Sequence, residues 1–409
     1  MQKMIEIRGR YTDAVIFTDV VEEEACGQIR LLCDQPFTSG AKIRIMPDVH
    51  AGAGCTIGTT MTIKDKIVPN LVGVDIGCGM LTVCLGHQDV SFERLDDLIY
   101  KKIPSGFSVR KTPHPVNQEI DLTQLRCYSH IKHDYAKLSL GSLGGGNHFI
   151  EVDVDDDDKK YLVIHTGSRH LGVETASYYQ KAGYSELTAD HVDLPSMIEK
   201  LKKEGRKNEI PGMIREVKTK SGSARDIPPS LAYVEGKLFN DYIHDMKLVQ
   251  KFARLNRETI MSEILKGMEL KEEDRFETVH NYIETETMIL RKGAVSARKN
   301  ERLLIPINMR DGSLICTGKG NAEWNYSAPH GAGRLFSRKE SKQRFNVKEF
   351  SREMSGIYTT SVGLDTLDEA PMCYKNINDI LNNIGPTVTV DSIIRPVYNF
   401  KAAEKQRYP

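Results

Sequence analysis

The sequence predicts an α+β fold, a single interwoven domain with central β-sheets surrounded by helices, on three observations. Short β-rich runs separated by glycine turns fill residues 1 to about 100 and return after Thr278. One long stretch of helical periodicity lies between them. Chemistry-bearing residues occur on both sides of that stretch, with no internal repeat and no convincing linker, so one domain over residues 1–409 accounts for the chain better than several.

Taken in order, Val15–Val21 and Ile43–Met46 read as short strands and Ala51–Thr60 as a glycine-rich loop. Leu71–Met80, L-V-G-V-D-I-G-C-G-M, reads as an apolar strand that carries Asp75 and Cys78 at its end. Polar, turn-rich breaks follow at Pro104–Asn117 and Asp153–Lys160; the second is rich in aspartate and reads as a solvated hairpin tip rather than a cation site. Tyr161–Ile164 is an apolar run too short for a helix and ends at His165. Gly205–Ile227 is polar, basic and glycine-interrupted, as expected of an exposed insertion. From Pro228 to about Met268, Leu231, Leu238, Tyr242, Leu248, Phe252, Leu255 and Ile260 fall near helical spacing and predict one or two amphipathic helices whose stripe is core. Val347–Met354 predicts a late helix.

Hydrophobic residues make up 40% of the 409 and charged residues 27%, the balance of a soluble globular protein. No apolar run has the length of a membrane span, and the first residues lack the apolar block of a signal peptide, so a cytoplasmic protein without a membrane partner is expected. Eight cysteines without paired spacing argue against a disulfide framework and suit a reduced compartment. With 56 basic and 56 acidic residues, any nucleic-acid partner would need a locally basic groove.

Asp75 and Cys78 are two potential metal ligands delivered three positions apart, and Gly77 and Gly79 can take positive φ to let the chain wrap closely. A carboxylate and a thiol cannot complete a metal shell, so nitrogen ligands must come from elsewhere. Four histidines sit in unusual settings: His148 after three glycines and Asn147, His165 at the end of Y-L-V-I, His280 in V-H-N-Y, and His330 in A-P-H-G-A-G-R. One Asp, one Cys and three His can serve two metals if the thiolate bridges them, and these ligand types do not by themselves choose the metal. A structural zinc site would use closely spaced ligand pairs; these ligands are dispersed from residue 75 to residue 280, which suits an active site assembled by the fold. His330 stands apart, followed by Gly331, Ala332 and Gly333, then by Arg334 and Arg338, whose forked donors suit phosphate. Histidine can form a covalent phosphoryl or nucleotidyl intermediate. Ala51–Gly58 and Gly141–Gly146 could cradle phosphate, although neither is followed by G-K-[ST].

Seven blocks together resemble the RtcB-type RNA ligases: P-D-V-H-A-G-A-G (47–54), V-G-V-D-I-G-C-G-M (72–80), G-G-N-H-F-I-E (145–151), H-T-G-S-R (165–169), H-N-Y (280–282), R-K-G-A-V-S-A-R (291–298) and H-G-A-G-R-x-x-S-R (330–338). The resemblance runs from about residue 44 to Lys401. It implies an RtcB-like fold and an enzyme that joins RNA 3′-phosphate or 2′,3′-cyclic phosphate ends to 5′-hydroxyl ends with GTP and two Mn²⁺, in RNA repair or tRNA splicing. By motif, Asp75, Cys78 and His148 would hold one ion, and Cys78, His165 and His280 the second. His330 would attack the α-phosphate of GTP. Asn147, His280, Asn281, Pro306, Ile307, Asn308, Met309, Gly331, Ala332, Gly333 and Lys401 would line the nucleotide site, with Arg169, Lys292, Arg334 and Arg338 on phosphates of nucleotide or RNA. An archease-like activator is a partner the resemblance brings into view. The family usually has I-P-G-S-M where this chain has Ile305-Pro306-Ile307-Asn308-Met309, which predicts a narrowed or reshaped nucleotide pocket. Two rival activities use the same residues: capping of 3′-phosphate ends without sealing, and a dinuclear phosphoesterase in which His330 is an acid.

Overall fold

The computed structural model describes residues 4–188, 194–215 and 227–402. Two sheets organise them. A six-stranded sheet runs in the order Ile5–Arg8, Asp13–Ile16, Ile43–His50, Ile57–Thr62, Ile289–Lys292, Tyr282–Glu284. A seven-stranded sheet runs Asp274–Val279, Gly79–Gly86, Lys160–Thr166, Phe149–Val154, Val388–Lys401, Gly312–Gly318, Arg302–Asn308, all neighbours antiparallel. Each sheet combines strands from both ends of the chain, as the expected interweaving requires. A two-stranded pair, Ala294–Ser296 with Ser327–Pro329, leads directly to His330.

The helical periodicity resolves into one helix, Gly236–Met268, and its burial explains why the chain forms one body. Tyr242, Met246, Val249, Phe252 and Leu255 pack into a core that includes Ile16, Ile43, Ile45, Met61 and Leu290 of the six-stranded sheet. Ile260, Met261, Ile264 and Met268 enter a second core with Leu81, Val83, Ile150, Val152, Leu162 and Ile164 of the seven-stranded sheet. Separating the sheets would strip apolar surface from the helix twice, at about 25 cal/mol per Å² exposed.

The region around Asp75 and Cys78 differs from the expected strand. Pro69, with φ preset for a helix, opens a helical turn over Pro69–Val72, and Gly73 at φ 100° ends it. Residues 73–78 form a turn in which Val74 is 46% exposed, so Cys78 precedes the strand Gly79–Gly86 instead of closing one. Gly77 does take a positive φ of 71°. Gly79 does not: it lies in the strand, where a Cβ would come within 2.4 Å of the Thr278 carbonyl oxygen.

Other boundaries moved less. The first expected strand ends at Ile16; Phe17 still donates its N–H to Ile45 O at 3.0 Å and stacks on Trp324 at 3.9 Å between ring centroids. The strand expected over Ile43–Met46 continues to His50, and the glycine loop ends where Ile57–Thr62 begins. Residues 155–159 are a hairpin tip held by Asp155, whose Oδ1 accepts from Asp157 N and Lys159 N. The late helix spans Val347–Glu353. Of the expected insertion, residues 216–226 lie outside the described residues, and 205–215 are largely exposed. Among the described residues no helix is long and apolar enough to cross a membrane.

Candidate active site

Every expected metal ligand lies at one end of the seven-stranded sheet. Cys78 sits just before Gly79–Gly86 and His148 just before Phe149–Val154; His165 is near the end of Lys160–Thr166; His280 follows Asp274–Val279. Because the strands are antiparallel, these beginnings and ends meet. One row across the sheet reads Thr278, Met80, His165, Phe149, Lys401 by register.

The Cys78 Sγ lies 3.4 Å from both His148 Nε2 and His165 Nε2, and the ligand atoms of these three residues fall within 4.8 Å of one another. Asp75 Oδ2 is 3.0 Å from His148 Nε2, while Asp75 Oδ1 accepts from Ser168 N at 2.9 Å. His280 joins through its backbone, N–H to Cys78 O at 2.8 Å, with its ring 5.2 Å from that of His165. His148 Nδ1 faces the Leu143 carbonyl at 2.9 Å, which fixes the ring and leaves Nε2 for a ligand.

The electrostatics suit a metal. Burial, with smaller contributions from neighbouring cations, holds His165 and His280 far below the usual imidazole range, so both are neutral donors. Partial burial of Asp75 works against its charge, yet the hydrogen bond and charge of His148 hold its carboxyl below the usual range, so it is ionised. Burial and the Asp75 charge push the Cys78 thiol well up, so a bound cation must displace its proton. His148 and His165 both turn Nε2 to the Cys78 Sγ, and an ion shared with the thiolate would be held through those nitrogens. A carboxylate, a thiol and neutral imidazoles therefore fit divalent first-row ions.

His330 comes from elsewhere in the fold. Its ring stands 4.8 Å from that of His280 and extends a file of imidazoles, His148, His165, His280, His330. Fully buried Asp48, on the strand Ile43–His50, reaches His330 Nδ1 at 2.6 Å and accepts from its backbone N–H at 3.1 Å. Nδ1 thus carries the hydrogen and Nε2 the free lone pair. Gly333 lets the following turn lie on this strand: its φ is 80°, and a Cβ there would come within 2.4 Å of the Asp48 carbonyl oxygen. Nearby, buried Lys375 donates to the carbonyls of Val20, Pro47 and Val49 and fixes the backbone on either side of Asp48.

A cleft of about 250 Å³ joins the two groups, lined by Asp75, Cys78, Asn147, His165, His280, Asn281, Pro306 to Met309, His330 to Arg334, Arg338 and Lys401. Several of the expected contacts are held by the protein itself. Asn281, at φ 63°, donates to Asp75 O and accepts from Gly293 N, tying the Asp75 turn to the second sheet region. Lys401 Nζ donates to Asn147 O at 3.4 Å and pairs with Glu369 at 3.1 Å. Arg334 donates to Phe336 O, Asp368 O and Ser341 Oγ and pairs with Glu369, while Arg338 pairs with Asp368 and Glu369. Lys292 is directed to Ala53 O and Asn70 O, and burial brings its ammonium down to about 8. Arg169, at φ 56°, holds Ser142 Oγ and Gly106 O.

The departure at residues 307–308 acts on the fold. Ile307 is 3% exposed and packs with Val295, Leu314 and Ala332. Asn308 caps its own hairpin, accepting from Arg310 N and Asp311 N.

Sequence reasoning missed Asp48, Glu369, Glu151, Asn256 and Arg257. Asp48 and Glu151 stood inside recognised blocks, P-D-V-H-A-G-A-G and G-G-N-H-F-I-E; Glu369, Asn256 and Arg257 carry no local signal. Burial alone would raise Glu369, but Lys401, Arg338 and Arg334 hold its carboxyl down at about 2. Burial pushes Glu151, which also lines the cleft, up to about 7 against the pull of Lys401.

Comparison with known proteins agrees with this geometry. The family model described as tRNA-splicing ligase RtcB matches residues 28–138 and 117–402. The chain is 30% identical to the RNA-splicing ligase RtcB of Escherichia coli over 92% of this chain and 94% of that protein. It is 27% identical to the tRNA-splicing ligase RtcB of Aeropyrum pernix, with 82% of each chain covered. It is 25% identical to that of Thermococcus kodakarensis, again over 82% of each. With a family match over most of its length and a curated relative 30% identical over 92% of it, the chain belongs to the RtcB family.

Proposed function

We propose that the protein is an RNA ligase that joins 3′-phosphate or 2′,3′-cyclic phosphate ends to 5′-hydroxyl ends, consuming GTP through a histidine–GMP intermediate. The printed names of the relatives support the RNA-joining class. The observation that carries the mechanism is the Asp48–His330 pair at the mouth of the imidazole file.

His330 Nε2 attacks the α-phosphorus of GTP; a P–N bond forms and the bond to pyrophosphate breaks. Asp48 holds the Nδ1 hydrogen and balances the charge the ring gains on becoming substituted. An RNA 3′-phosphate oxygen then attacks the same phosphorus and releases His330. The 5′-hydroxyl oxygen finally attacks the 3′-phosphate, forming the phosphodiester and expelling GMP. A cyclic phosphate end is first opened by water. Asp75, Cys78 and His148 would hold one Mn²⁺ and Cys78, His165 and His280 a second. Such ions supply charge neutralisation at the phosphates and orient the attacking and leaving oxygens. The small Gly331–Gly333 turn admits the guanylate beside His330.

Incubation with α-labelled GTP and Mn²⁺, followed by denaturing electrophoresis, tests this. The expected result is an acid-labile, alkali-stable labelled protein that is absent in His330→Ala and Cys78→Ala and is chased by RNA ends into joined product. No adduct at any pH would overturn the mechanism, and an adduct chased only into capped 3′ ends would favour capping over joining.

A further inference from the structure

Behind Glu151, at the wall of the nucleotide cleft, lies a second carboxylate that nothing in the fold neutralises. Side chains alternate along the strand Phe149–Val154. Ile150 and Val152 enter the core against the long helix, while Phe149 joins the apolar cluster on the opposite face. Buried Glu151 and fully buried Asp153 share that opposite face with Phe149. On the neighbouring strand Val388–Lys401, fully buried Asn399 is the register partner of Glu151 and donates through Nδ2 to Glu151 Oε1. The amide head of Asn399 therefore stands among the carboxyl groups.

Acceptors outnumber donors here. Asp153 Oδ1, Asp153 Oδ2 and Asn399 Oδ1 are buried without a hydrogen-bond partner among the described residues. The charge that acts on Asp153 is that of Glu151, of its own sign. Lys401, whose charge does reach Glu151, has its ammonium paired with Glu369 at 3.1 Å. Buried charges in folded proteins are paired or coordinate metals. A proton would remove the charge of Asp153 but would leave the Asn399 oxygen unpartnered. A cation meets all of these acceptors at once. Carboxylate and amide oxygens are hard donors, the ligand types of calcium and magnesium, and two carboxylates match a double charge.

We propose that Asp153, Glu151 and Asn399 Oδ1 form a site for a hard divalent cation, distinct from the centre built on Cys78. The two sites differ in ligand chemistry: oxygen donors alone in one, thiolate and imidazole in the other. The assignment does not depend on the joining reading. An ion at this position also opposes the burial that brings the Glu151 carboxyl up to about 7, so that a charged acceptor faces the nucleotide cleft.

The test is equilibrium binding of calcium and of magnesium to the full-length protein after removal of metal by a chelator, together with thermal melting. About one ion of calcium or magnesium per chain should bind and raise the melting temperature. Cys78→Ala should keep both effects, and Asp153→Asn, of nearly the same shape, should lose both. Asn399→Ala, which removes a ligand oxygen but no charge, should weaken binding about tenfold. If neither ion binds the unaltered protein, the site does not exist. If Asp153→Asn binds the ion within twofold of the unaltered protein, the ion lies elsewhere, for example on the aspartate-rich tip at residues 155–158, and the assignment is wrong. An Asp153→Asn protein that melts higher than the unaltered one, with or without calcium, would show that Asp153 is held as a carboxylic acid and would also overturn it.

Discussion

Asp48 Oδ2 accepts both the ring Nδ1–H and the backbone N–H of His330, and this double contact fixes ring and chain together. Its Oδ1 has no partner among the described residues, so the carboxylate is committed to His330 alone. An amide in its place could present Nδ2–H to Nδ1 and favour the tautomer with hydrogen on Nε2, which cannot attack. Asp48→Asn should therefore slow adduct formation by about 10²-fold or more with little change in folding, as tautomer inversion does in other histidine-dependent enzymes. Single-turnover labelling with GTP measures this, and a rate within twofold of the unaltered enzyme would remove the tautomer argument. The Ile307-Asn308 departure carries the opposite lesson. A residue that departs from the usual one can serve the core as well as the cleft: Ile307 fills apolar volume and Asn308 closes a turn, while both also line the cleft.

The long helix Gly236–Met268 does more than join two cores. On the side facing the site, two buried polar residues interrupt its apolar stripe. Asn256 Oδ1 accepts from Gly141 N and Ser142 N, and its Nδ2 donates to Ser142 O and Gly167 O, which holds the glycine loop that presents His148. Arg257, 1% exposed, donates through Nη1 to Gly77 O and Thr166 O, both at 2.8 Å, and through Nε to Glu277. One guanidinium thus ties the Cys78 turn to the His165 strand. Arg257→Met would leave two buried carbonyls and Glu277 without their donor, with an expected loss of about 3–5 kcal/mol in urea unfolding. Mn²⁺ affinity, followed by titration calorimetry, should fall about 10- to 100-fold. Unchanged metal affinity in a folded variant would show that the helix does not position the ligands.

For the molecule as a whole, the joint between the six-stranded sheet and the His330 segment rests on ion pairs. Glu284, at the edge of that sheet, pairs with Arg298 at 2.6 Å and with fully buried Arg291 at 3.5 Å. Burial opposes its ionisation, but the Arg298 hydrogen bonds, Thr287 and the two guanidinium charges bring its carboxyl down to about 2 from an ordinary 4.5. A carboxyl depressed on folding stabilises the folded state fully above its unfolded value, and that contribution is lost as pH falls through the folded value. The stability advantage of the unaltered protein over Glu284→Gln should therefore hold steady at neutral pH, shrink below about 4.5 and vanish near 2. Urea midpoints across that range measure it; an advantage that grows on acidification would contradict the pairing.

The sequence by itself determined the fold class, the long helix and the family, and singled out the candidate ligands and the candidate nucleophile, because those features are local: periodicity, glycine-flanked histidines and blocks long enough to be specific. It did not determine where they meet. Leu71–Cys78 reads as a strand by composition, yet Pro69 and Gly73 make it a helical turn and a loop, since backbone geometry at two residues overrides an apolar run. Arg334 and Arg338 read as phosphate donors, but Glu369, distant in sequence and buried, takes up part of their charge. Asp48, Asn256 and Arg257 each act through a contact with a residue more than 100 positions away. Antiparallel pairing decided the centre, because strand beginnings and ends coincide only when the sheet has formed, and there a carboxylate, a thiol and three imidazoles meet at one edge.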